Sequence, residues 1–293
     1  MERSNMKPYL ALAIGVISVS ASAIFVKLTS APSGVIAFYR LFFSVLFMLP
    51  VFLLRYVSEL RLITKRDWIM SSISGIFLAF HFILWFESLN YTSVASSTVL
   101  VTMQPLFAFI GTFLLFKERL SAKAILCGIA AVIGSVVISW GDFAISGQAL
   151  FGDLLALIAC ALITVYLLFG QTVRKRLSLI TYTFVVYSIS TITLFLYVIL
   201  MGEPLVGYDL SNWIYFILLA IIPTLLGHTL FNWSLKWLST STISVAILFE
   251  PVGATVLAYL VLNETIRLTQ ILGGLIIMIG IICFLISAKK GTA

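Results

Sequence analysis

The sequence predicts an all-α integral membrane protein in which ten transmembrane helices form two inverted repeats of five helices, with both termini in the cytoplasm. Of its 293 residues, 61% are hydrophobic and 10% are charged, whereas soluble domains carry about 25% charged residues. Ten apolar segments, a one-sided distribution of basic residues and an internal duplication together predict this fold. The composition excludes a water-soluble globular protein, because so few polar residues cannot cover its surface.

The first observation is the set of apolar segments. A transmembrane helix needs about 20 consecutive, mostly apolar residues. Ten segments meet this requirement, at approximately 8–28, 34–54, 68–89, 94–116, 122–140, 150–170, 178–201, 213–235, 240–262 and 268–288. The connections between them are short, so no separate extramembrane domain is expected. The chain is expected to be a multi-pass protein of the cell (inner) membrane, with the lipid bilayer as its surroundings.

The second observation is the distribution of Lys and Arg, which predicts the orientation. Fifteen of the 18 basic residues precede the first segment or lie in connections on the same side of the membrane. The other side carries only Lys27 and Arg267, and Arg40 lies inside the second segment. Because cytoplasmic loops are enriched in Lys and Arg, both termini are predicted to be cytoplasmic. The net charge of +7 therefore reports orientation and does not indicate a nucleic-acid partner.

The third observation is that the stretch Gln104–Ser139 recurs 146 residues later. The pairs that coincide at this offset are Gln104-Pro105 with Glu250-Pro251, Glu118 with Glu264, Gly128 with Gly274, and Gly134 with Gly280. The offset maps the third to fifth segments onto the eighth to tenth, which divides the chain into units at 1–141 and 142–293. Five helices is an odd number, so the second unit enters the membrane inverted. Inverted repeats are typical of secondary transporters that work by alternating access.

Three stretches resemble a known family. They are AFYRLFFSVLFMLP (37–50), HFILWFESLNYTSVASSTVLVTMQPLFAFIGTFLLFKERLS (81–121) and STSTISVAILFEPVGATVLAYLVLNETI (239–266). They look like the two EamA domains of the drug/metabolite transporter superfamily. The resemblance implies ten helices, cytoplasmic termini and export of a small metabolite, with amino-acid exporters among the members.

Two prolines are predicted to interrupt helices at corresponding positions of the two repeats. They lie in Gln104-Pro105 and Glu250-Pro251, and such paired interruptions indicate the site and the gating elements of a transporter. Glu250 is a carboxylate within the membrane, which needs a partner or a proton. It is expected either to bind a substrate amine or carry a proton, or to be a protonated residue that stabilises a kink.

Two histidines mark a second candidate site. Phe77, His81 and Trp85 follow one another at one-turn intervals in the third segment, and His228 and Asn232 are four residues apart in the eighth. Under the repeat the histidines correspond within one residue, which places one towards the outer third of the membrane and the other towards the inner third. They are expected either to line a cavity, where His81 would gate transport or couple it to protons, or to be satisfied core residues.

Arg40 lies about two turns from the outer end of the second segment. It is expected either to counter the charge of a substrate carboxylate or to pair with a neighbouring helix end or with Glu87. Small residues at Cys127, Ala131 and Ser135, together with Gly280, predict close helix approach. This contact would lie within the chain or between subunits, and the oligomeric state stays open.

Two other functions were weighed against transport. Phe77-x-x-x-His81 and His228-x-x-x-Asn232 fit two of three motifs of the CAAX-type membrane proteases, but the Glu-Glu-x-x-x-Arg motif is absent, since no two glutamates are adjacent. A passive channel needs a filter motif or a ring of charge, and neither is evident. The chain is therefore expected not to be an enzyme and to need no cofactor or metal, with a small molecule as substrate and protons as a candidate coupling ion.

Overall fold

The computed structural model describes residues 6–92, 94–139, 147–263 and 266–290, and its elements there are all helices. In the first half they are α1 (Met6–Ser20), α2 (Ser22–Lys27), α3 (Ser33–Arg55), α4 (Lys65–Ser88), α5 (Val94–Thr102), α6 (Gln104–Phe116) and α7 (Ala122–Ser139), with a 3₁₀ helix at Val57–Leu62. In the second half they are α8 (Gly147–Val173), α9 (Leu179–Met201), α10 (Leu210–Leu219), α11 (Thr229–Ser234), α12 (Thr240–Ile247), α13 (Glu250–Leu262) and α14 (Leu268–Lys290), with a π-helical segment at Ala220–His228.

The described residues contain eight helical segments that are long and apolar enough to cross a membrane, and α7 and α14 contain two shorter apolar helices. The predicted all-α, multi-pass architecture is thus confirmed. Boundaries differ by a few residues where polar caps start a helix before its apolar part. For example, α4 begins at Lys65 because the Thr64 side chain and Asp67 form a reciprocal capping box, which satisfies backbone donors of the first turn.

The sequence repeat extends to the boundaries of the helices. Helix α3 and helix α9 each have 23 residues and begin 146 positions apart, and the 13-residue helices α6 and α13 are separated by the same offset. Both α6 and α13 are followed by a residue in the left-handed conformation, Lys117 and Asn263, each with φ of 56°. The two halves therefore share local backbone structure as well as sequence.

Equivalent helices of the two halves pack on each other. Helix α3 packs against α9, α7 against α14, and α6 against α12. Helix α4 lies along α8, and in the corresponding arrangement α1 packs against the π-helical segment and α11. This is the contact pattern of two repeats related by a twofold axis.

The contact between α7 and α14 depends on small residues. A Cβ atom built on Gly280 would lie 2.8 Å from the backbone nitrogen of Ala131, and one built on Gly134 would lie 2.9 Å from the carbonyl oxygen of Gly273. Only glycine fits at such distances from a neighbouring backbone. The predicted close approach of small-residue stripes is confirmed, and it lies within the chain.

Of the glutamate pair Glu118 and Glu264, only Glu118 can be described, because Glu264 lies outside the described residues. Glu118 follows α6 and accepts a hydrogen bond from the Ser239 hydroxyl at 2.8 Å. Ser239 is also the N-cap of α12. Glu118 therefore joins the end of one helix to the start of another.

Candidate functional site

A buried cavity lies between helices of both halves. Its polar lining comes from Ser22, His81, Trp85, Gln104, His228 and Glu250, and the remaining lining is apolar. The empty space measures about 400 Å³, of which about 20 Å³ is wide enough for water. One water molecule needs about 10–15 Å³. In this conformation the cavity holds a water or two, and a larger ligand requires the lining to move.

The two interrupted helices bring an amide and a carboxylate to this cavity. Gln104 is the first residue of α6 and Glu250 the first residue of α13, and in each helix a proline occupies the first turn. Proline fits there because its missing N–H would have no helical acceptor. Pro105 and Pro251 themselves are not part of the lining, but they fix where the helices begin. Glu250 therefore lies at the positive end of a helix dipole, which favours an anion.

Several buried polar atoms of the lining are available to a ligand. Within the described part of the chain, Trp85 Nε1, Gln104 Oε1 and His228 Nδ1 have no hydrogen-bond partner. A buried polar group without a partner costs about 1–3 kcal/mol. These three atoms come from three different helical segments and belong to the same cavity, so the cavity offers a donor, an acceptor and a titratable nitrogen to one small molecule.

His81 is held by the second half of the chain. Its Nδ1 lies 2.9 Å from the carbonyl oxygen of Ala159 on α8. A carbonyl can only accept, so Nδ1 carries the proton, and Nε2 of the neutral ring is an acceptor. The ring also stacks on Trp85, with the centroids 5.8 Å apart. The two side chains therefore form one flat, oriented wall of the cavity.

His228 belongs to the same cavity as His81, although the inverted repeat predicts opposite thirds of the membrane for them. The ring of Phe82, which follows His81 on α4, lies edge-on to His228 with centroids 5.5 Å apart. A second edge contact comes from Phe231 at 5.9 Å. Tertiary packing brings α4 and the end of the π-helical segment together, which a count of residues along each helix does not predict.

Asn232 and Phe77 lie outside the cavity lining. The Asn232 amide donates to the His228 carbonyl oxygen at 2.8 Å and to the Tyr166 hydroxyl, so it fixes the backbone that carries His228. The backbone carbonyl oxygen of Asn232 accepts from Arg174 Nε at 2.9 Å. Phe77 is half-buried on α4, one turn before His81. Of the predicted lining residues, the structure brings together His81, Trp85, Gln104, His228 and Glu250.

Arg40 is fully buried beside the cavity. Its Nε donates to the Thr224 hydroxyl at 2.7 Å, and Nη1 donates to the Ser22 hydroxyl at 2.8 Å. The guanidinium lies 4.1 Å from the ring centroid of Phe82, in cation–π contact. In the described structure Nη2 has no hydrogen-bond partner, so one donor of this cation remains for a ligand.

The expected pairing partner of Arg40, Glu87, is engaged elsewhere. Glu87 accepts a hydrogen bond from the Asn90 side chain at 3.3 Å. The nearby Lys27 donates to the carbonyl oxygen of Leu89 at 2.5 Å. Inside the described part of the protein, Arg40 lies within electrostatic range of the Tyr187 phenol and the Glu250 carboxyl group. Arg40 therefore supplies positive charge to the cavity that Glu250 lines.

The partner of Arg40 in the second half comes from a π-helical segment that the sequence reasoning missed. Pro223 lies inside Ala220–His228 and has no N–H to donate. The Thr224 hydroxyl donates to the Leu219 carbonyl oxygen at 2.8 Å while it accepts from Arg40. Pro223 was the available signal in the sequence, because a proline inside a helix interrupts the regular α-helical hydrogen bonds. The π turn that results is of a kind that occurs at functional sites. Ser22, the other partner, lies in a run of small residues with no distinctive spacing.

A second polar cluster lies outside the membrane segments. Glu59, in the 3₁₀ helix, accepts from the backbone N–H of Ser178 at 2.7 Å and from the hydroxyls of Ser178 and Thr181. Burial raises the pKa of Glu59, but these hydrogen bonds and the charge of Arg174 outweigh it and hold the pKa below its ordinary value. The cluster caps the start of α9 with a negative charge, which the helix dipole favours.

Among the described residues, no group of three or more His, Cys, Asp or Glu side chains is placed to hold a metal ion. The polar groups of the cavity come instead from several helices of both halves. This arrangement is suited to hydrogen bonding with a small organic molecule.

Comparison with known proteins identifies the family. The model of the EamA-like transporter family matches twice, over residues 6–140 and 150–286. An uncharacterized transporter of Archaeoglobus fulgidus is 24% identical over 272 residues, covering 93% of this chain and 94% of its own length. The riboflavin transporter ImpX of Fusobacterium nucleatum is 24% identical over 200 residues, covering 66% of this chain and 67% of its own.

A solved crystal structure shares the fold. It superposes with a TM-score of 0.79 at 20% sequence identity and covers 98% of this chain and 99% of its own. Together with eight apolar segments that can cross a membrane, the two family matches account for nearly all described residues. The chain is a multi-pass membrane protein that belongs to the EamA-like transporter family.

Proposed function

We propose that this chain is a secondary transporter that exports an amino acid or a related small metabolite across the cell membrane by alternating access. Ten crossing helices with cytoplasmic termini, in two inverted units at 1–141 and 142–293, are part of this proposal. The observation that carries it is the cavity shared by Gln104 and Glu250. These residues begin the two interrupted helices, at equivalent positions of the repeat.

The chemistry of the lining supports an amino acid as substrate. Glu250 is matched to a substrate ammonium group, since a carboxylate inside the membrane needs an opposite charge. The Trp85 Nε1 donor and the remaining Nη2 donor of Arg40 are matched to a carboxylate. Trp85 and His81 provide an aromatic wall for the substrate side chain. The export direction is the one implied by the resemblance to metabolite exporters.

Alternating access explains why the cavity is closed here. About 20 Å³ of water-sized space cannot hold an amino acid, so loading requires one half to move relative to the other. Interruptions at Pro105 and Pro251 provide helix pieces that can tilt separately. A passive channel would need a continuous hydrated path, which a closed cavity with tightly packed walls does not supply.

Counterflow in proteoliposomes tests the proposal. Purified protein is reconstituted into liposomes loaded with unlabelled amino acid, and uptake of the radiolabelled compound is followed for a panel of amino acids. We expect transient accumulation of at least one of them, which a carrier produces and an open pore does not. Glu250→Gln is expected to lower the initial rate by about tenfold or more, equivalent to about 1.4 kcal/mol.

Glu87→Gln is the matched control, because it neutralises a carboxylate outside the cavity lining, and it should retain wild-type rates. Absence of counterflow for every amino acid and related compound, with protein that is correctly folded, would refute the proposed substrate class. Equal rates for Glu250→Gln and the control would refute the role of the carboxylate. A parallel series with a pH gradient, including His81→Ala, separates proton antiport from facilitated diffusion.

A further inference from the structure

A second pocket lies on the basic side of the protein, at the ends of three helices from both halves. Its empty space measures about 570 Å³, of which about 240 Å³ is wide enough for water, and it shares no residue with the cavity described above. Arg66 comes from the start of α4, Phe116 from the end of α6, and Lys175 from the turn after α8. The pocket therefore lies where these three helices leave the membrane.

The rim of this pocket is cationic and its wall is apolar. Arg66 and Lys175 are both exposed at the rim, and the Lys175 ammonium lies 5.7 Å from the ring centroid of Phe116. Met70 and Phe169 add to the apolar wall. The described residues that line the pocket include no acidic side chain. The two cations are thus free to share one anionic group.

An ion pair joins the two chain segments that carry these cations. Asp67, next to Arg66, lies 3.5 Å from the guanidinium of Arg176, which is next to Lys175. Asp67 is itself buried and bonded to Thr64 at 2.7 Å. Because this contact ties the start of α4 to the turn after α8, the two segments that supply Arg66 and Lys175 are held next to each other without a ligand.

An exposed apolar surface lies next to the pocket. Leu115 lines the pocket with 55% of its surface exposed, and the neighbouring Leu114 is 61% exposed. A ligand with an anionic head and an apolar tail would place the head between the two cations and the tail along these leucines. Anionic headgroups bind basic pockets between transmembrane helices on the cytoplasmic side. The positive charge of the rim, its position at the helix ends and the exposed leucines all favour a ligand with an anionic head and an apolar tail.

We propose that this pocket binds the headgroup phosphate of an anionic phospholipid from the leaflet on the basic side of the protein. Arg66 and Lys175 hold the phosphate oxygens, Phe116 and Phe169 contact the glycerol region, and one acyl chain lies along Leu115. The lipid then bridges α4 of one half and α8 of the other. This site goes beyond the proposed transport function, and its test does not depend on the substrate.

Thermal unfolding of the purified, detergent-solubilised chain tests the site, with phosphatidylglycerol and phosphatidylcholine as probes. We expect phosphatidylglycerol to raise the unfolding midpoint of the wild-type protein by several degrees, and phosphatidylcholine to leave it unchanged. The double variant Arg66→Gln/Lys175→Gln should lose this shift. The matched control Arg61→Gln/Lys123→Gln removes two exposed cations of the same side outside the pocket and should keep it.

A control with inorganic phosphate distinguishes binding of a lipid headgroup from binding of a free anion. We expect millimolar phosphate neither to raise the midpoint nor to reduce the shift caused by phosphatidylglycerol. A full shift with phosphate alone would overturn the lipid assignment. Equal shifts in the two double variants, or equal shifts with the two lipids, would overturn the site itself. Both double variants change exposed side chains, so folding defects are not expected to obscure the comparison.

Discussion

Replacement of Thr224 by Val tests the link between Arg40 and the π-helical segment. The two side chains have the same shape, but valine lacks the hydroxyl that accepts from Arg40 at 2.7 Å and donates to the Leu219 carbonyl oxygen at 2.8 Å. A hydrogen bond to a charged group contributes about 1.5–3 kcal/mol and a neutral one about 1 kcal/mol. Loss of both predicts a decrease of about 2.5–4 kcal/mol in the free energy of unfolding.

Thr164→Val is the matched control for this prediction. Thr164 is as buried as Thr224, and its hydroxyl donates to the carbonyl oxygen of Cys160 at 2.8 Å. Its loss should cost about 1 kcal/mol. Both variants would be unfolded reversibly in mixed detergent micelles and followed by tryptophan fluorescence. Equal losses for the two variants would show that Arg40 does not depend on Thr224, and the account of the π segment as the anchor of this cation would be wrong.

Two further predictions concern packing and pH. Gly280→Ala should lower the thermal midpoint of unfolding, because overpacking against the Ala131 backbone costs about 1–3 kcal/mol. The control Gly274→Ala, whose new Cβ would lie 3.6 Å from its nearest neighbour, should have a midpoint equal to or above that of the wild type. The same midpoint for both variants would contradict the tight contact. The pKa of Glu59 is held below its ordinary value of about 4.5. Its hydrogen bond to Ser178 therefore stabilises the protein at pH values above about 4.5, and this stabilisation is lost as the pH falls through the lowered pKa. Glu59→Gln should therefore be less stable than wild type near neutral pH and equal to it in acid, and a pH-independent difference would contradict this.

The sequence predicted the architecture well because the bilayer imposes strong and simple rules. A run of about 20 apolar residues has few alternatives to a membrane helix, and the 146-residue offset transfers the boundaries of helices such as α3 and α6 to the other half. The breaks at Gln104 and Glu250 were also predictable, since proline removes a backbone donor wherever it occurs. These are local or repeated properties of the chain.

The composition of the cavity depended on information that is not local. Pro223 marks a π turn, yet the choice of Arg40 as the partner of Thr224 is made by packing between segments 184 residues apart in sequence. Ser22, on α2, is a partner of the same cation on α3, and this contact between neighbouring helices also depends on packing. For the two histidines, the repeat predicted equivalent positions but not that both would reach one cavity.

The packing of α3 and α7 against their equivalents in the other repeat has a consequence for how the halves are joined. Helix α3 meets α9 and helix α7 meets α14, as identical surfaces do across the twofold axis of an isologous dimer. The boundary between the halves is therefore built like the interface of a homodimer, although both sides belong to one chain. A substitution in α7 faces the equivalent helix of the other repeat, so changes at such positions are expected to be tolerated in complementary pairs. Single changes there would disturb both halves at once.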